Sequence, residues 1–228
     1  MSILVSPSIL SADFAKMGED VAKLKGWGAD WVHCDVMDGV FCPNITFGIP
    51  MIKAIRKYTD LPLDVHLMIT HPERYVEKFL DAGADIITFH PESSEDVEGI
   101  IDNVHRNGKK VGLVLNPNVP VSEVAKYIDM IDLVMLMGVY PGFSAQKFIT
   151  DTMYKISDLK ALIGDRDVMI EFDGGVSVDN VAEMERRGVN VAVSGSYVFG
   201  AKDPKEAIAF LKNRKKLDDY IKEYKPFS

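Results

Sequence analysis

His33 and Asp35 stand two residues apart in the apolar run Trp31–Val36. In an extended strand such residues share a face. His66 lies in a second run, Leu63–Met68, and Asp173 directly follows a third, Val168–Phe172. If the face shared by His33 and Asp35 is an enclosed interior, His66 and Asp173 can converge on it from other strands. Two imidazoles and two carboxylates commonly hold a divalent transition ion. Each of the four could instead be an isolated, hydrogen-bonded core residue, as a lone histidine usually is. Together, in strands otherwise apolar, they favour the convergent reading, because burying four unpartnered ionisable groups costs too much. Asp35 and Asp173 also suit a second task. Carboxylates on opposite sides of a carbon can pass a proton across it, one as base and one as acid. A metal bound to the adjacent carbonyl would stabilise the resulting enediolate.

Other polar residues gather where apolar runs end. Asp173-Gly174-Gly175, Gly195-Ser196 and Pro141-Gly142-Phe143-Ser144-Ala145 are turns whose backbone N–H groups could face an anion. Turn geometry alone would explain them equally simply. His90, Glu92 and Asn116 are either an outer layer around the ionisable cluster or loop caps. Met37, Met68 and Met137 are either an adaptable wall over a ligand or upper core residues.

These residues must be positioned by regular elements, and the pattern supplies them. Eight short apolar runs recur: Ile3–Val5, Trp31–Val36, Leu63–Met68, Ile86–Phe89, Val111–Leu115, Leu133–Val139, Val168–Phe172 and Val191–Val193. Near-continuous apolar runs suit strands covered on both faces, as in a parallel sheet. Helical patterns intervene. Asp13 is placed to cap a helix carrying Phe14, Met17, Val21 and Leu24 inward. Others start at Pro72 or span Ser94–His105, Val121–Ile128, Phe148–Ile163, Val178–Arg187 and Pro204–Tyr224. Three end in glycine just before a strand, at Gly28, Gly83 and Gly188, as left-handed helix ends require. The alternation predicts an α/β fold, a single (β/α)8 barrel over residues 1–228. An open doubly wound sheet fits less well, since Ser6-Pro7-Ser8 is no glycine-rich dinucleotide loop. In such barrels the chemistry sits at the carboxyl ends of the strands, where the residues above lie.

Composition limits the setting. The 228 residues carry 26 basic and 34 acidic side chains, a net charge of −8, which argues against nucleic acid as a partner. Cys34 and Cys42 cannot form a disulfide framework and read as free thiols. No run is long enough to span a membrane, and Met1–Val5 lacks the basic start of a secretory leader. A cytoplasmic protein without membrane contact is expected.

Pro7–Phe14, His33–Gly39, Val40–Gly48, Asp64–Met68, Pro141–Phe143 with Gln146–Phe148, Asp173–Gly175 and Gly195-Ser196 closely resemble the ribulose-phosphate 3-epimerase family, in order, from about residue 3 to 210. The resemblance implies a metal-dependent barrel that inverts C3 of a ketose phosphate. It implies that His33, Asp35, His66 and Asp173 hold zinc, iron, manganese or cobalt, with Asp35 as proton acceptor and Asp173 as donor. It assigns Ser8 and His66 to the sugar, and Gly142, Phe143, Ser144, Ala145, Gly174, Gly175, Gly195 and Ser196 to the phosphate. It further implies a dimer or hexamer. One segment departs: the family usually has Phe-Gly-Gly-Gln where this chain reads Phe143-Ser144-Ala145-Gln146, and side chains there are strained if φ is positive. A sister group acts on D-allulose 6-phosphate, but Ile9–Phe14 looks like the pentose enzymes. A phosphosugar lyase and a non-catalytic phosphosugar-binding barrel are the more distant alternatives.

Overall fold

A computed structural model describes residues 2–212. Eight parallel strands run in the order β1-β8-β7-β6-β5-β4-β3-β2, with helices between them. They are β1 (Leu4–Ser6), β2 (Val32–Met37), β3 (Leu63–Met68), β4 (Ile86–Phe89), β5 (Lys110–Leu115), β6 (Leu133–Met137), β7 (Met169–Asp173) and β8 (Val191–Val193). The helices are α1 (Met17–Trp27), α2 (Ile49–Ile55), α3 (Val76–Ala82), α4 (Val97–Arg106), α5 (Thr152–Ile163), α6 (Val181–Arg187), α7 (Ser196–Phe199) and α8 (Pro204–Lys212). No ladder joins β1 to β2. The sheet closes through a single Ser8–His33 bridge and the hydrogen bonds Asp30 N–H to Val5 O and His33 N–H to Pro7 O, at 2.9 and 3.1 Å.

Strand alternation explains the mixed chemistry of these runs. Val32, Cys34 and Val36 of β2, like Leu63, Val65 and Leu67 of β3, belong to the core between sheet and helices. The intervening His33, Asp35 and Met37, and Asp64, His66 and Met68, therefore point into the barrel. In the register His33 lies beside Asp64, Asp35 beside His66, and Met137 beside Asp173. Lower in the interior, Trp31, Ile86, Val114, Leu133, Met135 and Val191 fill the barrel. The site thus rests on a packed apolar base.

Several local expectations shift. Asp13 caps a 3-10 turn, Phe14–Lys16, rather than α1; its carboxylate accepts the Ala15 N–H at 3.0 Å. Phe14 is consequently 43% exposed and packs edge-on against Phe47, while Met17, Val21 and Leu24 are buried as expected. Val121–Tyr127 is a 3-10 helix. β-Branched Val121 and Val124 weaken an α-helix, and at three residues per turn Val124 and Tyr127 fall in line on the buried side. Residues 148–151 stay outside α5, 178–180 outside α6, and Gly138 turns the chain after β6. The expected helix from Pro204 is present to Lys212; its continuation to Tyr224 lies outside the described residues. The three glycine helix ends hold, with φ of 91° at Gly28, 110° at Gly83 and 119° at Gly188. No helix among the described residues is long and apolar enough to cross a membrane.

Candidate active site

At the carboxyl ends of the strands a cavity is lined by Ser8, Asp35, the 139–146 loop, Asp173–Val176, Gly195 and Ser196. Met37, Met68 and Met137 line it too while almost fully buried, so they are at once upper core and cavity floor. His33 and His66 lie behind this surface, each 0% exposed.

His33, Asp35, His66 and Asp173 do converge: one ligand atom from each lies within 4.8 Å of the others. His33 Nε2 is 3.3 Å from Asp35 Oδ1 and 3.8 Å from Asp173 Oδ2, and His66 Nδ1 is 3.3 Å from Asp35 Oδ1. His33 Nε2 is buried without a hydrogen-bond partner. An orphaned imidazole nitrogen facing two carboxylates, with a second imidazole beside them, suits a divalent cation, and the residues present fit one.

Sequence reasoning missed the layer beneath. Asp64 Oδ2 accepts from His33 Nδ1 at 2.5 Å, and Glu171 Oε1 is 3.9 Å from the same nitrogen; both acids are fully buried. The signal was present, because Asp64 is two residues from His66 on β3 and Glu171 two from Asp173 on β7. A carboxylate on the far nitrogen fixes a ligating histidine's orientation and tautomer.

The electrostatics separate the two aspartates. Burial alone would raise the Asp35 carboxyl, but the adjacent His33 and His66 hold it well below its usual range. Ser8 donates its hydroxyl to Asp35 Oδ2 at 2.5 Å. Burial, reinforced by the Asp35 charge, pushes Asp173 up to about 7. Burial opposes charge on His33, yet Asp64 and Asp35 hold its pKa well above the ordinary value. Burial depresses His66 to about 4. Two carboxylates facing one cavity thus differ in proton affinity, as an acid and a base must.

The anion-binding candidates gather on the same rim. Gly174 and Gly175 have φ of 109° and 69°. A Cβ on Gly174 would lie 2.8 Å from the Val139 nitrogen, and one on Gly195 2.6 Å from Ser11 Oγ. In the departing segment Ala145 has φ 58°, whereas Ser144 is not among the positive-φ residues, so the expected strain falls on one position. Two unforeseen side chains brace this loop: Gln146 Nε2 donates to the Tyr140 and Phe143 carbonyls at 2.7 and 2.8 Å, and Asn44 Nδ2 donates to the Gly142 carbonyl at 2.7 Å. Asp38, also unforeseen, ties the loop after β2 to the one after β3 by accepting the Thr70 N–H and hydroxyl at 2.8 and 2.9 Å. His90, Glu92 and Asn116 form a chain behind His66 rather than separate loop caps.

An eight-stranded parallel barrel with ionisable side chains and glycine turns at the carboxyl ends of its strands defines a (β/α)8-barrel enzyme. Residues 4–199 match the model of the Ribulose-phosphate 3 epimerase family, and the chain belongs to that family. It is an epimerase. It is 48% identical over 218 residues to the chloroplastic ribulose-5-phosphate-3-epimerase of Arabidopsis thaliana, covering 94% of this chain and 78% of the relative. It is 45% identical over 216 residues to the ribulose-phosphate 3-epimerase of Bacillus subtilis, covering 93% of this chain and 100% of the relative. A solved 3-keto-L-gulonate-6-phosphate decarboxylase from Vibrio cholerae superposes with a TM-score of 0.73 over 96% of this chain and 99% of its own. At 14% identity that likeness concerns the fold alone.

Proposed function

We propose that this epimerase converts D-ribulose 5-phosphate to D-xylulose 5-phosphate by inverting C3, with Asp35 and Asp173 as the proton-transfer pair. The observation that carries this reading is the pair itself: Asp35 and Asp173 line one cavity and both face His33 Nε2, at 3.3 and 3.8 Å. Asp35 takes the C3 proton from one face, its carboxylate held in place by the Ser8 hydroxyl. Asp173 delivers a proton to the opposite face, and the roles exchange in the reverse direction. His33, Asp35, His66 and Asp173 would hold one divalent transition ion (zinc, iron, manganese or cobalt), which when bound supplies positive charge to stabilise the enediolate. Ser8, which lines the cavity, orients the sugar. His66, expected from the resemblance to share that contact, is fully buried behind the cavity surface with one ring nitrogen toward Asp35 and the other toward His90, so its part is confined to the ion pocket. Backbone N–H groups of Gly142–Ala145, Gly174, Gly175, Gly195 and Ser196 receive the phosphate, so the net charge of −8 is no obstacle.

The resemblance implies a dimer or hexamer, and the two free cysteines suit a reducing, cytoplasmic setting. The test is the ratio of kcat/KM for ribulose 5-phosphate over allulose 6-phosphate. A ratio well above one is expected. A ratio below one would assign the enzyme to the hexulose phosphate, with Tyr140, Ser144 and Ala145 as the place to seek the cause.

A further inference from the structure

The two buried imidazoles of the cluster present different nitrogens to it. His33 turns Nε2 inward and gives Nδ1 to Asp64, whereas His66 turns Nδ1 toward Asp35 and Nε2 away. Behind His66, its Nε2 lies 3.0 Å from Nε2 of His90, and the rings stack with centroids 5.2 Å apart. Two imidazole nitrogens at that distance share one proton, so one ring donates and the other accepts. If His66 donates, the His90 proton is on Nδ1. If His90 donates, its Nδ1 shows a lone pair instead.

His90 is fully buried, and its Nδ1 has no direct hydrogen-bond partner. The charge facing it is Glu92 Oε1 at 3.7 Å, the same oxygen that receives the Asn116 side-chain N–H at 2.8 Å. A carboxylate anchored there favours the tautomer with N–H toward it and disfavours a lone pair. Phe41 covers His90 with ring centroids 4.7 Å apart, closing off solvent from that side. The opposing pull is Asp35, which attracts a proton to His66 Nδ1 from 3.3 Å.

We propose that His90 and Glu92 are positioning residues for the cation pocket: Glu92 keeps the His90 proton on Nδ1, His90 thereby accepts from His66 Nε2, and the His66 Nδ1 lone pair is left facing Asp35. A lone pair opposite a carboxylate at this distance is favourable only with a cation between them, so the chain of residues prepares the pocket for one. The inference rests on the metal-site reading above. It extends that site along Glu92–His90–His66 to a side chain 41% exposed at the surface.

The experiment is Zn2+ binding to the full-length protein, measured by competition with a chromophoric chelator, together with 15N imidazole spectra of the zinc-loaded protein. His90→Phe keeps the ring but leaves the His66 Nε2–H without an acceptor; it is expected to weaken Zn2+ binding by about 10–100-fold. His90→Gln places a carboxamide oxygen within reach of that N–H and is expected to recover most of the loss. Glu92→Ala, at a side chain 41% exposed, is expected to weaken binding, and Glu92→Gln to weaken it less. The wild-type spectrum should show the His90 proton on Nδ1. A wild-type Zn2+ affinity in His90→Phe, a His90 proton on Nε2, or failure of glutamine to improve on phenylalanine would overturn the proposal. Absence of Zn2+ binding in the wild-type protein would instead overturn the metal-site reading, and the proposal with it.

Discussion

Removing one member of the acid–base pair should uncouple proton removal from inversion. In Asp173→Asn, assayed with the divalent ion in excess because position 173 would also help hold it, the side chain keeps its size and an oxygen but can neither deliver nor take up a proton. General acid–base catalysis by one positioned group contributes roughly 10²- to 10⁴-fold, or about 3 to 5 kcal/mol of barrier. Epimerisation should fall by at least that range in both directions. Asp35 remains, still held ionised by His33 and His66 and still bonded to Ser8 at 2.5 Å. It can take the C3 proton of ribulose 5-phosphate and exchange it with solvent before returning it to the same face. The variant incubated in D2O with ribulose 5-phosphate should therefore gain deuterium at C3, seen by proton NMR, without forming xylulose 5-phosphate. Given xylulose 5-phosphate, whose C3 proton faces position 173, it should exchange nothing. Asp35→Asn should show the mirror behaviour. Epimerisation at a near wild-type rate in either variant would refute the two-base assignment. So would exchange from both epimers at equal rates in each.

Three further outcomes are expected. Chelation should abolish steady-state turnover, and a divalent transition ion should restore it; full activity in protein shown metal-free by elemental analysis would remove the ion from the reaction. Asp38→Asn should cost about 2 kcal/mol in urea unfolding at pH 7, because its carboxylate accepts from Thr70, Val40 and Phe41. Burial would raise the Asp38 carboxyl, but those donors hold it below 3.8, so its stabilisation is present above that pH and fades below it; the gap to wild type should shrink in acid. Gly174→Ala forces a side chain onto φ 109° and against the Val139 backbone, and should cost about 1–3 kcal/mol of stability and raise KM for the phosphosugar, measured by denaturation and steady-state kinetics.

The barrel was legible because its strands are buried on both sides and therefore written as apolar runs, with polar residues only where a side chain points inward. The His33-x-Asp35 spacing was enough to mark the cluster. Asp64 and Glu171 escaped notice because an acid two residues from a candidate ligand does not by itself reveal that it will face the far nitrogen of His33; that depends on how β3 and β7 are set against β2. The Val121–Tyr127 helix type and the exposure of Phe14 were set by packing and capping choices that periodicity does not resolve. The strain at Ala145 was visible only by comparison with the glycines usual there, and its confinement to one residue needed backbone angles.

The gap in the sheet between β1 and β2 carries a consequence of its own. One bridge and a few hydrogen bonds close the barrel there, and among the groups crossing that seam are Ser8 and Asp35, joined side chain to side chain. The seam and the proposed proton-transfer centre share these two residues. A ligand held by both residues would work as a clasp, raising the free energy of local opening where no strand ladder closes the cylinder. Amide exchange along Val5–Ser8 and Asp30–His33 should slow on occupancy more than anywhere else in the sheet, making the enzyme's weakest joint its own reporter of bound substrate.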